Sequence, residues 1–469
     1  MKFNKEFLLN LIRVGLSNLF ILTSQVLVGL ALPKIMSIND FGLYRKFMLY
    51  ATYISLLHFG FTDGILIKYG GMKYSNINKP ELRTIVHFFI LFEFVLGICI
   101  STFSIFCFHG SYRTIFSALG IYCFLLNSVT FYQFFSQAVF NFKILSFLNE
   151  IQGILISLII AFLIGIHLYL KDSINYTDYI YLFLIAYFII FISYLVYYKK
   201  LIIGEHYEFV KVKDKVVRIF KVGILITAAY QLANITLNFD NQLVSIFFNN
   251  KEFAIYSFAY NLVSIIISVV MAISTVLFPY LSKQGKNKTI LQYSRNNDLM
   301  LIFVYGLLVF YYFVNFVIKI YLPNYITSLK YFRVLLPGVA ITTSITSIVF
   351  NHYKVTDDIK TYFINGCYAF LSTIILNIIC YRVFHSVYSL AIVSLITLFL
   401  WYSIEDIYFR KKYRITECRH YIYIVCMTLA FETVTDFWPN FFGAIIYVLV
   451  YLAFTFILYR KLLNSLKNP

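Results

Sequence analysis

Two sets of hydrogen-bonding side chains recur at helical spacing inside long apolar runs. Asn10, Arg13, Ser17 and Ser24 fall within about 60° of one another at ~100° per residue. Thr227, Gln231, Asn234, Asn238, Asn241 and Ser245 form a second stripe, about 80° wide on the same reckoning. Their chemistry is binding through amides, hydroxyls and one guanidinium. Polar groups within an apolar helix face protein or a water-filled cavity, so both faces are expected to point inward and line a common chamber. Interhelical hydrogen bonding, which holds helices together and moves nothing, uses the same residue types. Arg13 is the sharpest single candidate, because burying its charge without a partner is costly unless the side chain snorkels toward an interface.

Three acidic residues within apolar runs, Asp63, Glu93 and Asp240, are candidates for ion coupling, since low dielectric favours a protonated carboxyl. Each can instead be the partner of a buried base, and Asp63, near the cytoplasmic end beside Lys68, and Asp240, near the outer end, can simply be interfacial. His58 and His87 read as packed rings. Gly64, Gly70 and Gly71 are too sparse for a phosphate loop. The seven cysteines are scattered with no C-x-x-C pair, so neither a disulfide framework, a metal site nor a cofactor is indicated, and no catalytic residue is assigned. Pro279 and Pro337 interrupt apolar runs, where they can kink a helix and supply flexibility.

The elements that must position these groups are membrane helices. Of 469 residues, 61% are hydrophobic and only 13% charged, and mean hydropathy is +0.78, whereas soluble chains carry roughly 25% charged residues. The apolar runs are long and continuous, unlike the short alternating segments of a barrel. About fourteen are long enough to cross a bilayer of ~30 Å: 7–32, 44–67, 85–108, 115–140, 144–168, 179–198, 222–248, 253–281, 299–321, 331–353, 361–384, 387–408, 421–437 and 441–459. The expected architecture is an all-α integral membrane protein. It has a six-helix lobe at 1–198, a cytoplasmic linker at 199–221 lying on the membrane surface, a second six-helix lobe at 222–408, and a further helix pair at 409–469. The first run is too long for a signal-peptide core and is expected to remain as a span.

Lys and Arg sidedness is an independent check. With the N-terminus cytoplasmic, the loops on that side collect about 28 of the 39 basic residues against about ten opposite, the bias expected of cytoplasmic loops. Both termini are then expected in the cytoplasm. The formal charge of +18 is spread in small groups between apolar runs, which argues against nucleic acid. No loop is long enough to fold as a catalytic domain. A site must lie among the helices, which favours transport over enzymatic chemistry.

An internal repeat supports two lobes. Asp40, Phe41, Gly42, Leu43 and Tyr44 recur as Glu252, Phe253, Ala254, Ile255 and Tyr256 at an offset of about 212 residues. Each copy opens the second span of its half, so the halves have parallel topology. The segments Leu32 to Tyr44 and Asp240 to Tyr256 resemble the Wzx-type polysaccharide flippases of the multidrug/oligosaccharidyl-lipid/polysaccharide exporter superfamily. That resemblance implies two lobes in a V shape, with the terminal pair at the side. It implies an undecaprenyl-pyrophosphate-linked oligosaccharide as substrate, flipped from the cytoplasmic to the periplasmic leaflet of a bacterial inner membrane. It also implies coupling to an H+ or Na+ gradient, with a polysaccharide polymerase and a chain-length regulator as partners besides membrane lipids. On this reading Arg13 meets the pyrophosphate, and Ser17, Gln231, Asn234 and Asn238 lie on the sugar path. A multidrug or small-cation exporter would have twelve spans and a more acidic cavity. A polymerase would carry a long outer loop.

Overall fold

The computed structural model describes residues 5–284 and 286–467, with side chains described over 13–268, at 270 and over 286–460. The helices are α1 Lys5–Ile35, α2 Ile38–Ile54, α3 Phe61–Tyr69, α4 Lys79–Cys107, α5 Gly110–Ala138, α6 Phe142–Leu170, α7 Tyr176–Tyr197 and α8 Phe209–Leu237. They continue with α9 Phe239–Phe247, α10 Asn250–Gln284, α11 Lys286–Leu291, α12 Tyr293–Leu307, α13 Phe310–Tyr321 and α14 Ser328–Leu335. The last are α15 Gly338–Thr343, α16 Phe350–Val355, α17 Ile359–Phe384, α18 Val387–Tyr413, α19 Arg419–Phe437 and α20 Phe441–Lys467. Every predicted span falls on one of these helices or on a broken set of them. Among the described residues ten helices are long and apolar enough to cross a membrane, or eleven when a pair bent by 42° is counted as one span.

The bent pair is the tenth predicted span. Pro337 follows α14, where it cannot donate to the preceding turn, and a π-helical turn, Ser344–Val349, follows α15. The expected kink at Pro337 is therefore present. Pro279 lies within α10, but its side chain is outside the described residues, as is that of Asn10.

The chain forms two compact units, Met1–Ile235 and Thr236–Pro469. The division falls inside the seventh predicted span rather than before it. Residues 209–221, predicted as part of a surface linker, are the first turns of α8, continuous with the span. The reason is legible in packing: Val212, Val216 and Ile219 are all buried at helical spacing, and Phe220 packs on Phe61 of α3 at 4.9 Å between centroids.

In the first unit α5 packs against α2, α3, α4, α6 and α7. Accordingly 61% of its apolar window is buried, against 22% for α4 and for α6, whose remaining faces are left for lipid. Phe61, Phe89 and Phe131 stack across α3, α4 and α5 at 4.6 and 5.2 Å. In the second unit α10 packs on α14, α17 on α18, and α19 on α20.

The repeat motif is a pair of helix starts. Ser37 accepts from the Asp40 amide at 3.0 Å at the head of α2, and Asn249 accepts from the Glu252 amide at 2.9 Å at the head of α10. In both, a capping side chain satisfies an otherwise unpaired N–H, and an acid sits in the first turn where the helix dipole favours it. Phe41, Tyr44, Phe253 and Tyr256 are buried behind these caps.

Loops assigned to one side of the membrane by the basic-residue count touch loops assigned to the same side. Arg83 donates to the carbonyls of Lys200 and Glu205, Gly71 to Ala138, Lys286 to Thr356, and Arg410 to Ser294. On the other side Ile174 donates to Ile35 and Arg333 pairs with Asp436.

Candidate functional site

The polar stripe of the seventh span is carried by two helices. In the first unit α8 presents Thr227 and Gln231, each 3% exposed, toward the broken second span. The Thr227 hydroxyl donates to Asp63 at 2.5 Å, and the Gln231 amide donates to Ser55 in the 3-10 turn Ser55–His58 between α2 and α3. The other amide atom of this residue, Gln231 Oε1, is buried with no partner among the described residues. Asn234 is half-buried further along α8. Thr227 and Gln231 thus perform the interhelical bonding that the sequence left open as an alternative, and one acceptor remains over.

The α3–α8 approach that allows this is very close. Gly60, Gly64 and Gly223 meet so tightly that a Cβ at any of them would overlap the backbone of the other helix. Gly60 has φ +81°, and with Phe59 it turns the chain from the 3-10 segment into α3.

Arg13 is exposed on α1, whereas Ser17 and Ser24 on the same helix are buried. Both serines donate back into α1, to the carbonyls of Val14 at 3.0 Å and Ile21 at 2.7 Å. The first-helix stripe therefore splits by burial, with the guanidinium on the exposed part.

In the second unit the stripe continues through Asn238, which ends α8 and starts α9. Asp240 is 2% exposed and accepts from Tyr256 Oη at 2.5 Å and Tyr260 Oη at 2.6 Å. Tyr260 Oη is also 3.1 Å from the Leu237 carbonyl freed by the helix break. Asn241 Oδ1 and Ser245 Oγ are buried and unpartnered among the described residues. Such atoms are rare in native interiors, and each is a place for a water or a ligand hydroxyl.

The three predicted carboxylates share one trait: among the described residues none has a basic partner. Glu93 is fully buried on α4 and accepts from Asn127 Nδ2 at 2.8 Å, with Cys123 Sγ 3.7 Å away. Asp63 is half-buried against Thr227, and Lys68 pairs with Glu81 at 3.1 Å rather than with it. Glu405, which the sequence reading did not single out, is a fourth of the same kind. It is fully buried and held by Asn365 Nδ2 at 3.2 Å. Its signal was two adjacent acids, Glu405 and Asp406, within an apolar run.

The basic residues that are deeply buried are otherwise engaged. Arg410 Nε donates to Asp406 at 2.6 Å, and Asp406 also accepts from Tyr293 at 2.7 Å and Tyr421 at 2.8 Å, with His420 Nε2 at 3.0 Å. Arg419 and Tyr459 meet Asp298 beside it. This network ties α12, α18, α19 and α20 together. No group of three or more metal-ligating side chains with metal-site spacing occurs among the described residues.

The profile of the polysaccharide biosynthesis protein family matches residues 10–284, more than half of the chain. This chain belongs to that family. No curated protein sequence matches it significantly. Among solved structures, this chain is similar to the lipid II flippase MurJ in an inward closed conformation. They share 19% identity over 97% of this chain and 100% of that one, with a TM-score of 0.68. An inward-facing multidrug resistance MATE transporter of the MOP superfamily matches at 12% identity over 85% and 98%, TM-score 0.61. A MOP superfamily transporter from Pyrococcus furiosus matches at 12% over 86% and 95%, TM-score 0.55. The chain has the fold of these transporters, and the expected kinship with a polysaccharide biosynthesis family holds.

Proposed function

We propose that this protein is a flippase for a lipid-linked oligosaccharide, the sugar carried on undecaprenyl pyrophosphate from the cytoplasmic to the periplasmic leaflet of a bacterial inner membrane by alternating access. The observation that carries the reading is the run of buried amides and hydroxyls on α8 and α9, in which Gln231 Oε1, Asn241 Oδ1 and Ser245 Oγ have no partner among the described residues. Unpaired acceptors and hydroxyls inside apolar helices suit a hydroxyl-rich passenger better than an apolar drug. Gln231, Asn234 and Asn238 meet the sugar, and Ser17 lines the same route. Arg13, exposed on α1, meets the pyrophosphate. Asp63, Glu93 and Asp240 have no basic partner among the described residues and are the groups through which an H+ or Na+ gradient acts.

The test is translocation of a labelled undecaprenyl-pyrophosphate oligosaccharide across liposomes containing the purified protein, read by lectin access from outside. Protein-dependent translocation is expected, reduced about tenfold in Gln231→Ala, in keeping with loss of one or two hydrogen bonds. Failure of wild-type protein under both H+ and Na+ gradients, with uptake of cationic dyes instead, rejects the reading in favour of a drug exporter. Unchanged transport by Arg13→Ala at normal protein levels rejects the assignment of Arg13.

A further inference from the structure

Glu405 sits in the second unit on α18, about two turns before the basic end of that helix at Lys411 and Lys412. Its surroundings are closed. Glu405, Trp401 on the same helix and Tyr353 on α16 are each no more than 1% exposed, and Asn365 on α17 is 8% exposed. Asn365 Nδ2 lies 3.2 Å from Glu405 Oε2 and 3.4 Å from Tyr353 Oη, and Tyr353 Oη donates to the Glu405 carbonyl at 3.0 Å. Two polar atoms are left over at this point. Glu405 Oε1 and Trp401 Nε1 are buried with no hydrogen-bond partner among the described residues, although the indole faces the carboxyl from one turn away.

Something must neutralise this carboxyl, because an isolated charge in such a place is too costly to keep. Among the described residues no base does so. On α18 the neighbouring Asp406 takes up Arg410, and Lys412 pairs with Asp358. On α16 the ammonium of Lys354 lies over the Phe350 ring at 4.0 Å, and His352 Nδ1 is 2.7 Å from the Ile348 carbonyl. The other titratable groups that face Glu405 are the phenols of Tyr353 and Tyr362. A metal cation fits no better, since it needs several oxygen ligands and the amide and the indole here present N–H groups. A proton needs only the free oxygen.

We infer that Glu405 binds a proton on Oε1, and that this proton holds α16 against α17 and α18. The last piece of the broken tenth span, α16 follows the π-helical turn Ser344–Val349, a kind of turn frequent at functional sites. While the carboxyl is neutral, Tyr353, Trp401 and Asn365 close around it. Once the proton leaves, the charge has to be hydrated, and the phenol and amide that join α16 to α17 and α18 must part to admit water. None of this depends on the passenger, so it stands or falls separately from the flippase reading.

The test uses full-length protein in nanodiscs and two readouts. Infrared difference spectra between wild type and Glu405→Gln at neutral pH should show one protonated-carboxyl C=O band in wild type, lost as the pH is raised. Hydrogen exchange of residues 344–356, corrected for intrinsic rates, should rise in wild type by up to about tenfold per pH unit, the signature of one proton released per opening. It should stay flat in Glu405→Gln. Tyr353→Phe should keep the band and open about fivefold faster, in keeping with one lost hydrogen bond. Absence of the band, or the same pH slope in wild type and Glu405→Gln, overturns the inference. Where Glu405→Gln does not fold, wild type and Tyr353→Phe decide: equal exchange in these two proteins, or no pH slope in wild type, overturns it as well. Protection of the segment by sodium chloride over choline chloride overturns it in favour of a metal cation.

Discussion

Gly223 of α8 packs against the carbonyl of Gly60, and no side chain fits between them. This contact joins the broken second span to the helix bearing the polar stripe. Gly223→Val should separate the two helices and break the Thr227–Asp63 and Gln231–Ser55 bonds together. A loss of about 2–4 kcal/mol is expected from overpacking plus two lost hydrogen bonds. Thermal unfolding in detergent measures it, and a variant as stable as wild type would show that the contact is not tight in the membrane.

Asp240 is held by two phenols and no base among the described residues. Asp240→Asn keeps the shape and an acceptor oxygen, so unfolding should change by less than about 1 kcal/mol. Transport in the same variant should lose its dependence on an imposed H+ or Na+ gradient. Gradient-driven transport that persists in Asp240→Asn removes this residue from the coupling assignment.

Asp406 and Arg410 are 0% and 4% exposed. Removing one partner strands the other in a low dielectric. Arg410→Met is therefore expected to cost about 3–5 kcal/mol, and the double variant Arg410→Met/Asp406→Asn to recover part of it. A urea or thermal double-mutant cycle reports the coupling, and purely additive single effects would contradict it.

Glu81 bridges Lys68 at 3.1 Å and Lys215 at 2.6 Å, but Lys215 is more than half exposed. Solvent screening limits each arm, so Glu81→Gln should cost only about 1 kcal/mol, shrinking further above ~0.5 M salt. A cost as large as that of Arg410→Met would mean that α8 depends on this clamp far more than its exposure allows.

The amino-acid sequence by itself determined the solvent this protein lives in, the approximate limits of its apolar helices, and the repeat. Hydrocarbon tolerates only helices and closed barrels, so long continuous apolar runs report helices directly, and the repeated caps, Ser37 on Asp40 and Asn249 on Glu252, join residues only three apart. Helical spacing also carried Ser17, Thr227 and Gln231 to buried faces. Only the tertiary structure decided what those faces touch, because partners such as Thr227 and Asp63 or Gln231 and Ser55 lie more than 160 residues apart. It likewise separated exposed Arg13 from buried Ser17 on one helix and extended α8 back to Phe209 by packing Val212 and Val216. Periodicity names a face of a helix, but burial and pairing are properties of several helices at once.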